Sequence, residues 1–284
     1  MLIIADGGAT KADWIIVKDN GEQELISTTG FNPNYVSGER IAEIIADELA
    51  GKLPFEITGA VYYYGTGCWD KGRNRIVQEA IAKVLTQAKV VVHHDLLAAA
   101  RATCGHRPGI ACILGTGSNS VLYDGEKEVD NVTNLGFLLG DEGSGAQIGK
   151  ALVQAFFYRE MPEELQPIMD KVCPNGRKDI LDKVYSGGIP AAYLASFTQL
   201  FTEHQAHPFV RGLVKKCFNE FLTRHVCKYE NHESLPVCFV GSVAHYFRDI
   251  LHEALSELGL TLGPVVKKPI NNLVDFHLEL ATQK

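Results

Sequence analysis

LIIADGGATKADWIIV, residues 2–17, opens the chain with an apolar strand, a polar glycine-rich turn and a second apolar strand. The pattern predicts strands over Leu2–Ala5 and Trp14–Val17, joined through Asp6-Gly7-Gly8-Ala9-Thr10-Lys11. Short β-branched and aromatic runs bounded by Gly and Asp favour a pleated, half-buried backbone. The same pattern returns later. Ile110–Leu114 and Val121–Tyr123 flank Gly115-Thr116-Gly117-Ser118-Asn119-Ser120, and each second strand runs into a turn with Asp and Gly, at 19–21 and 124–125. Aligning Asp6 with Gly115 sets the two copies 109 residues apart. One hairpin in each part of the chain predicts two domains built to one plan, with the crossing at CGHRPG, residues 104–109.

Helical patterns alternate with strands around these hairpins. Ile41, Ile44, Ile45 and Leu49 line one face over Glu39–Ala50, and Gly51 is the expected left-handed terminator. A second helix is predicted over Asn74–Leu85; Val90–Val92 then reads as a buried strand entering His93-His94-Asp95, with a helix over Leu96–Thr103 behind it. Later patterns predict helices over Ala146–Phe157, Ala191–Phe201, Phe209–Val226 and Ala244–Leu258, the last fed by a strand at Val237–Val240. Such alternation predicts an α/β fold with largely parallel sheets.

The 284 residues suit roughly two domains, and a charged fraction of 21% with 46% hydrophobic residues is ordinary for a globular chain. A net charge of −7 makes the chain as a whole a poor match for a nucleic-acid backbone. No apolar run approaches the roughly 18 residues of a membrane span, and MLIIADGG shows no secretory signal. Seven scattered cysteines without a CxxC pair fit reduced thiols, hence a cytoplasmic location.

Several segments could carry chemistry. In Asp6–Lys11 the glycines free backbone N–H groups to face an anion, Thr10 and Lys11 add a hydroxyl and a charge, and Asp6 could hold a divalent cation through water; an ordinary hairpin would use the same residues for turn geometry. Gly115–Ser120 repeats the choice. Gly140-Asp141-Glu142-Gly143-Ser144-Gly145 packs carboxylates before a helix, where they either serve an anion and hydroxyl site or cap the helix. Asp95 is either an N-cap or a general base at the edge of a parallel sheet. Asn32-Pro33-Asn34 suits sugar hydroxyls and equally a turn, and Gly241-Ser242 suits a nucleotide base or close packing.

Taken in order, these segments resemble the sugar-kinase, heat-shock-protein-70 and actin superfamily and, within it, the N-acetylglucosamine kinase branch of the BadF/BadG/BcrA/BcrD-type ATPases. DGGATK (6–11) is similar to the first phosphate motif, GTGSNS (115–120) to the second, LGDEGSGAQIG (139–149) to the branch signature and VGSVA (240–244) to the adenosine motif. HHDLLAA (93–99) matches the catalytic-Asp segment and GFNPN (30–34) the substrate-Asn segment. The resemblance implies two ribonuclease-H-like (actin-like ATPase) α/β domains with a cleft between them: residues 1–107 with a C-terminal helix at about 272–284, and residues 108–271. ATP phosphates would meet Gly7, Gly8, Thr10 and Lys11 on one side and Gly115, Thr116, Gly117 and Ser118 on the other, with adenosine near Gly241 and Ser242. Asp6 would hold Mg²⁺ through water, Asp95 would take the proton from the attacking hydroxyl, and Asn32, Asn34, Asp141 and Glu142 would bind the sugar. Implied with these are a small-molecule amino-sugar substrate, no nucleic-acid or membrane partner, and a homodimer.

The chain departs from the branch in one place. The family's Gly-Gly-Trp-Gly before the Gly-Asp-Glu motif is here Thr133-Asn134-Leu135-Gly136, so an aromatic plate for the sugar is absent or supplied elsewhere, by Trp69 or Phe137. N-acetylglucosamine, phosphorylated to its 6-phosphate, leads among the substrates, ahead of glucosamine, N-acetylmuramic acid and N-acetylmannosamine. Two other roles fit the motifs: a BadF-type ATPase activating a redox enzyme, whose iron–sulfur ligands would have to include pairs such as Cys104/Cys112, and a non-catalytic, ATP-binding sugar sensor.

Overall fold

Alternate apolar residues of the opening hairpin bury Ile3, Ala5, Ala12, Trp14 and Ile16 on one face of a sheet. In a computed structural model, which describes residues 1–53, 58–186 and 189–282, that hairpin is β1 (Leu2–Gly7) and β2 (Lys11–Val17). Both strands run further into the turn than predicted, so Asp6 lies within β1 opposite Asp13. They are followed by β3 (Gln23–Thr29), α1 (Gly38–Ile44), β4 (Ala60–Gly65), α2 (Lys71–Val84), β5 (Lys89–His94) and α3 (Asp95–Cys104). Then come β6 (Gly109–Leu114), β7 (Ser118–Tyr123), β8 (Glu128–Asp130), α4 (Gly136–Leu139), α5 (Gly145–Phe157), α6 (Gln166–Val172), α7 (Arg177–Tyr185), α8 (Pro190–Leu200) and α9 (Pro208–Arg224). The chain closes with β9 (Pro236–Val240), α10 (Ser242–Tyr246), α11 (Arg248–Glu257), β10 (Thr261–Val266) and α12 (Ile270–Thr282). Among the described residues no helix is long and apolar enough to cross a membrane.

The chain divides into two compact units, Met1–Gly105 with Lys268–Lys284, and His106–Lys267. The sequence reading sets these boundaries at 107/108 and 271/272, and residues 283–284 of its C-terminal helix lie outside the described residues. The first unit holds a five-stranded sheet in the order β3-β2-β1-β4-β5, the second one in the order β10-β9-β6-β7-β8. In each, three antiparallel strands lead into two parallel ones: β1 pairs antiparallel with β2 and parallel with β4, as β6 does with β7 and β9. This is the ribonuclease-H-like plan, twice. The first strands of the two hairpins start 107 residues apart, at Leu2 and Gly109, and the cross-strand pairs Ile3–Ile16 and Ile110–Leu122 then set the second strands 106 apart. Gly8, rather than Asp6, is therefore the counterpart of Gly115, and Asp6 answers to Ile113.

Other local expectations are corrected. Gly51 is no left-handed cap; the helix from Gly38 widens into a π-helical turn at Ile45–Leu49 and ends in a 3₁₀ turn that contains Gly51. The helix predicted over Ala244–Leu258 is two, broken at Phe247. β3, β4, β8, β10, α6 and α7 carry no prediction.

Candidate functional site

Parallel strands end together. Gly7 of β1, Gly65 of β4 and His94 of β5 are in register at the carboxyl edge of the first sheet, where α/β proteins bind ligands. Asp95 follows at the first position of α3. Its N-cap is His94, without a side-chain capping bond, so the N-cap reading of Asp95 falls. The charge of Asp95 reaches Asp6: burial first, then the charges of Asp95 and Asp13, push the Asp6 carboxyl up to about 7.

Asp13, which no motif singled out, is the anchor of this edge. It is buried, accepts from Ser27 Oγ at 2.7 Å, and pairs with Lys11 Nζ at 2.7 Å and Lys268 Nζ at 3.0 Å. Burial alone would raise its carboxyl, but the hydrogen bonds from Lys11, Ser27 and Lys268 carry it down to about 2. Its sequence signal is spacing, since Lys11 and Asp13 share a strand face. Gly8 N donates to Lys11 O at 2.9 Å and closes the hairpin, so Gly8 shapes the loop. Gly7 has a steric reason: a Cβ there would lie 2.0 Å from the hydroxyl of the fully buried Tyr63.

The asparagine loop joins the same edge. A Cβ on Gly30 would meet Gly8 O at 2.2 Å, and one on Gly67 would meet Asn32 Oδ1 at 2.2 Å. Asn32 Oδ1 accepts from Asn34 N at 2.9 Å and from Asn34 Nδ2 at 2.8 Å, while Arg73 Nε donates to Asn34 Oδ1. Trp69, half exposed, stacks on His94 at 5.3 Å. Asp6, Asn32, Asn34, Trp69 and Asp95 thus gather on one sheet edge. A Mg²⁺ ion suits Asp6, a half-buried residue beside two other carboxylates. Among the described residues no three His, Cys, Asp or Glu side chains form a metal cage, so such an ion would keep mainly water and phosphate ligands.

The second unit builds its loop differently. Gly115 N donates to Gly117 O at 3.0 Å, and the first amides of α5 are spent on this loop: Gly145 N donates to Gly115 O at 2.8 Å and Ala146 N to Thr116 O at 3.1 Å. That overturns the expectation of an anion site at the start of this helix. Ser144 is the cap, accepting from Gln147 N at 3.2 Å. Asp141, buried and with φ of 56°, accepts from Ser118 N at 3.1 Å and Asn134 Nδ2 at 2.7 Å, bracing the loop from behind. Glu142 pairs with His225 Nε2 and Arg224 Nη1, each at 3.1 Å. Burial opposes its charge, but these and a backbone hydrogen bond hold its carboxyl below the usual range. Both carboxylates are therefore engaged within their own unit.

Gly241, at φ of 127°, packs on the end of β6, where a Cβ would lie 2.2 Å from Leu114 O. Ser242 opens α10 and, with Gly115, Thr116, Gln199, Tyr246 and Lys267, lines a cavity of about 530 Å³. Lys267 Nζ donates to Tyr246 Oη at 2.6 Å. Leu135, where the aromatic plate was missing, is exposed, as are Phe137, Leu138 and Leu139 beside it.

Residues 5–171 match the model of the BadF/BadG/BcrA/BcrD ATPase family. The chain is 29% identical over 144 residues to an N-acetylmuramic acid/N-acetylglucosamine kinase of Clostridium acetobutylicum, covering 48% of this chain and 46% of that one. It is 30% identical over 160 residues to an N-acetyl-D-glucosamine kinase of Dictyostelium discoideum, covering 51% and 50%. The match thus spans about half the length of these curated relatives. A crystal structure from Porphyromonas gingivalis, provisionally named an N-acetylglucosamine kinase, superposes with a TM-score of 0.91 at 38% identity over 98% of both chains.

Proposed function

The chain belongs to the BadF/BadG/BcrA/BcrD ATPase family, and from that premise we propose that it is an ATP-dependent kinase of an amino sugar, N-acetylglucosamine foremost, phosphorylated at its 6-hydroxyl in the cytoplasm. The observation that carries the reading is the gathering of Asp95 with Asp6, Asn32, Asn34 and Trp69 on one sheet edge. Asn32 and Asn34 hold sugar hydroxyls. Trp69, with one face on His94, offers the other to the pyranose and supplies the plate that Leu135 does not. Asp95 accepts the proton of the hydroxyl that attacks the γ-phosphorus in line, and no covalent enzyme intermediate forms. Lys11, Thr10 and the exposed Thr116 hold phosphates, and the cavity beside Ser242 takes the adenosine. Asp6 would hold Mg²⁺ through water, and the ion would supply positive charge to offset that of the phosphates. Asp141 and Glu142 act by bracing the second loop. The redox-activator alternative finds little support, since Cys104 and Cys112 are both buried, in different units.

The test is an ADP-release assay across hexoses, hexosamines and N-acetylhexosamines. ADP should appear with N-acetylglucosamine above the rate with ATP alone; no sugar dependence would reject the reading. Asp95→Asn should lower turnover by about 10²–10⁴-fold with ATP affinity retained.

A further inference from the structure

The return of the chain into the first unit begins at Lys268, and this residue goes straight to Asp13. Asp13 needs no second cation. Lys11 already neutralises it at 2.7 Å and Ser27 occupies a further lone pair, yet Lys268 Nζ sits 3.0 Å from Oδ2. Two lysines therefore share one carboxylate directly across the ladder from Asp6. Each ammonium has three N–H donors, of which Asp13 occupies one, and both side chains stay more than half exposed at 55% and 60%. A pair of cations held in fixed positions, with spare donors facing solvent beside a phosphate-type hairpin, is a prepared anion contact. The preceding residue, Lys267, is turned into the cavity of the second unit.

We propose that Lys268 is a ligand of the nucleotide polyphosphate, positioned by Asp13 next to Lys11. The proposal rests on the reading of the protein as an ATP-dependent kinase and adds a contact that none of the phosphate motifs contains. Asp13 holds the Lys268 ammonium in place, so binding a phosphate costs little side-chain ordering. Lys268 acts on the β- and γ-phosphates.

The experiment is calorimetric titration of wild-type protein, Lys268→Met and Lys268→Arg with ATP, ADP and AMP, each with Mg²⁺. Lys268→Met should weaken ATP and ADP about ten- to hundred-fold, the worth of a charge-assisted hydrogen bond, with AMP unchanged and Lys268→Arg restoring most of the loss. Folding should survive because Asp13 keeps Lys11 and Ser27; Lys268→Gln provides a second neutral variant. Equal ATP affinity in the neutral variants, or equal losses for ATP and AMP, would overturn the proposal. A wild-type protein that binds none of the nucleotides would overturn the kinase reading as well, so the two failures are separable.

Discussion

Asp6 carries a carboxyl raised to about 7 by burial first and by Asp95 and Asp13 after it, with Lys268 pulling the other way. An unfolded Asp titrates near 3.8. Between those values the folded state holds a proton that the unfolded state has released, so this residue's contribution to stability falls as pH rises from about 4 to about 7. His93 and His277 oppose that trend. Burial, then the charge of Arg101, lowers them to about 4 and about 3, so they favour the folded state increasingly as pH rises toward 6.5. The wild-type curve alone therefore mixes signs, and the difference from Asp6→Asn isolates the aspartate. Urea unfolding should show Asp6→Asn gaining stability over wild type steadily from pH 4 to pH 7 and levelling off above. A difference flat in pH would mean that Asp6 is not desolvated as described. Turnover in Asp6→Asn should be lost at every pH, because the amide cannot supply the anionic oxygen expected to face the cation.

Helix α5 crosses α8 at Gly149, where a Cβ would lie 1.8 Å from Leu194 O, a backbone atom with little room to yield. Gly149→Ala should therefore destabilise by about 3 kcal/mol or more. The sign makes the test sharp, since Ala in an uncrowded helix would instead stabilise by about 1 kcal/mol. Chemical denaturation reads the difference. That glycine was legible in the sequence as part of a motif, but its reason was not, because the partner backbone lies in another helix. The same division runs through the site. Gly8 and Gly115 were visible as loop residues, since turn chemistry is local. Asp141 and Glu142 were visible as unusual carboxylates, yet their partners, Ser118 and Asn134 for one and Arg224 and His225 for the other, depend on tertiary contacts. Edge strand β3 escaped because only Ile26 and the polar Thr28 are buried along it, between exposed positions, leaving a weak apolar signal, and β8 because it has three residues. Lys268 had no local signal at all.

At the scale of the chain, duplication was readable because two hairpins repeat one polar–apolar alternation, whereas the return of α12 to the first unit came from family resemblance and not from periodicity. The energetics of that return are specific. Leu273, Val274, Phe276 and His277 are buried, Tyr64 Oη lies 2.7 Å from His277 Nε2, and Arg101 Nη1 donates to the same hydroxyl at 2.7 Å. Arg101 has no acceptor atom, so the guanidinium donates to Tyr64, while the direction of the bond between Tyr64 Oη and Nε2 of a neutral His277 follows the imidazole tautomer. Burial of His277 favours that neutral form. A chain ending at Lys268 loses these four buried side chains and the buried Ile270, and takes His277 away from Tyr64. Losing one buried Leu alone costs about 2–5 kcal/mol, comparable with the stability of a whole domain. The first unit should then unfold while the second, which keeps its own sheet and core, persists. Hydrogen exchange resolved by peptide should show β1, β4 and α3 exchanging at once and β6, β9 and α9 still protected. Protection retained in β1 would mean that the first unit stands without α12, and uniform loss in both units would mean that they fold as one.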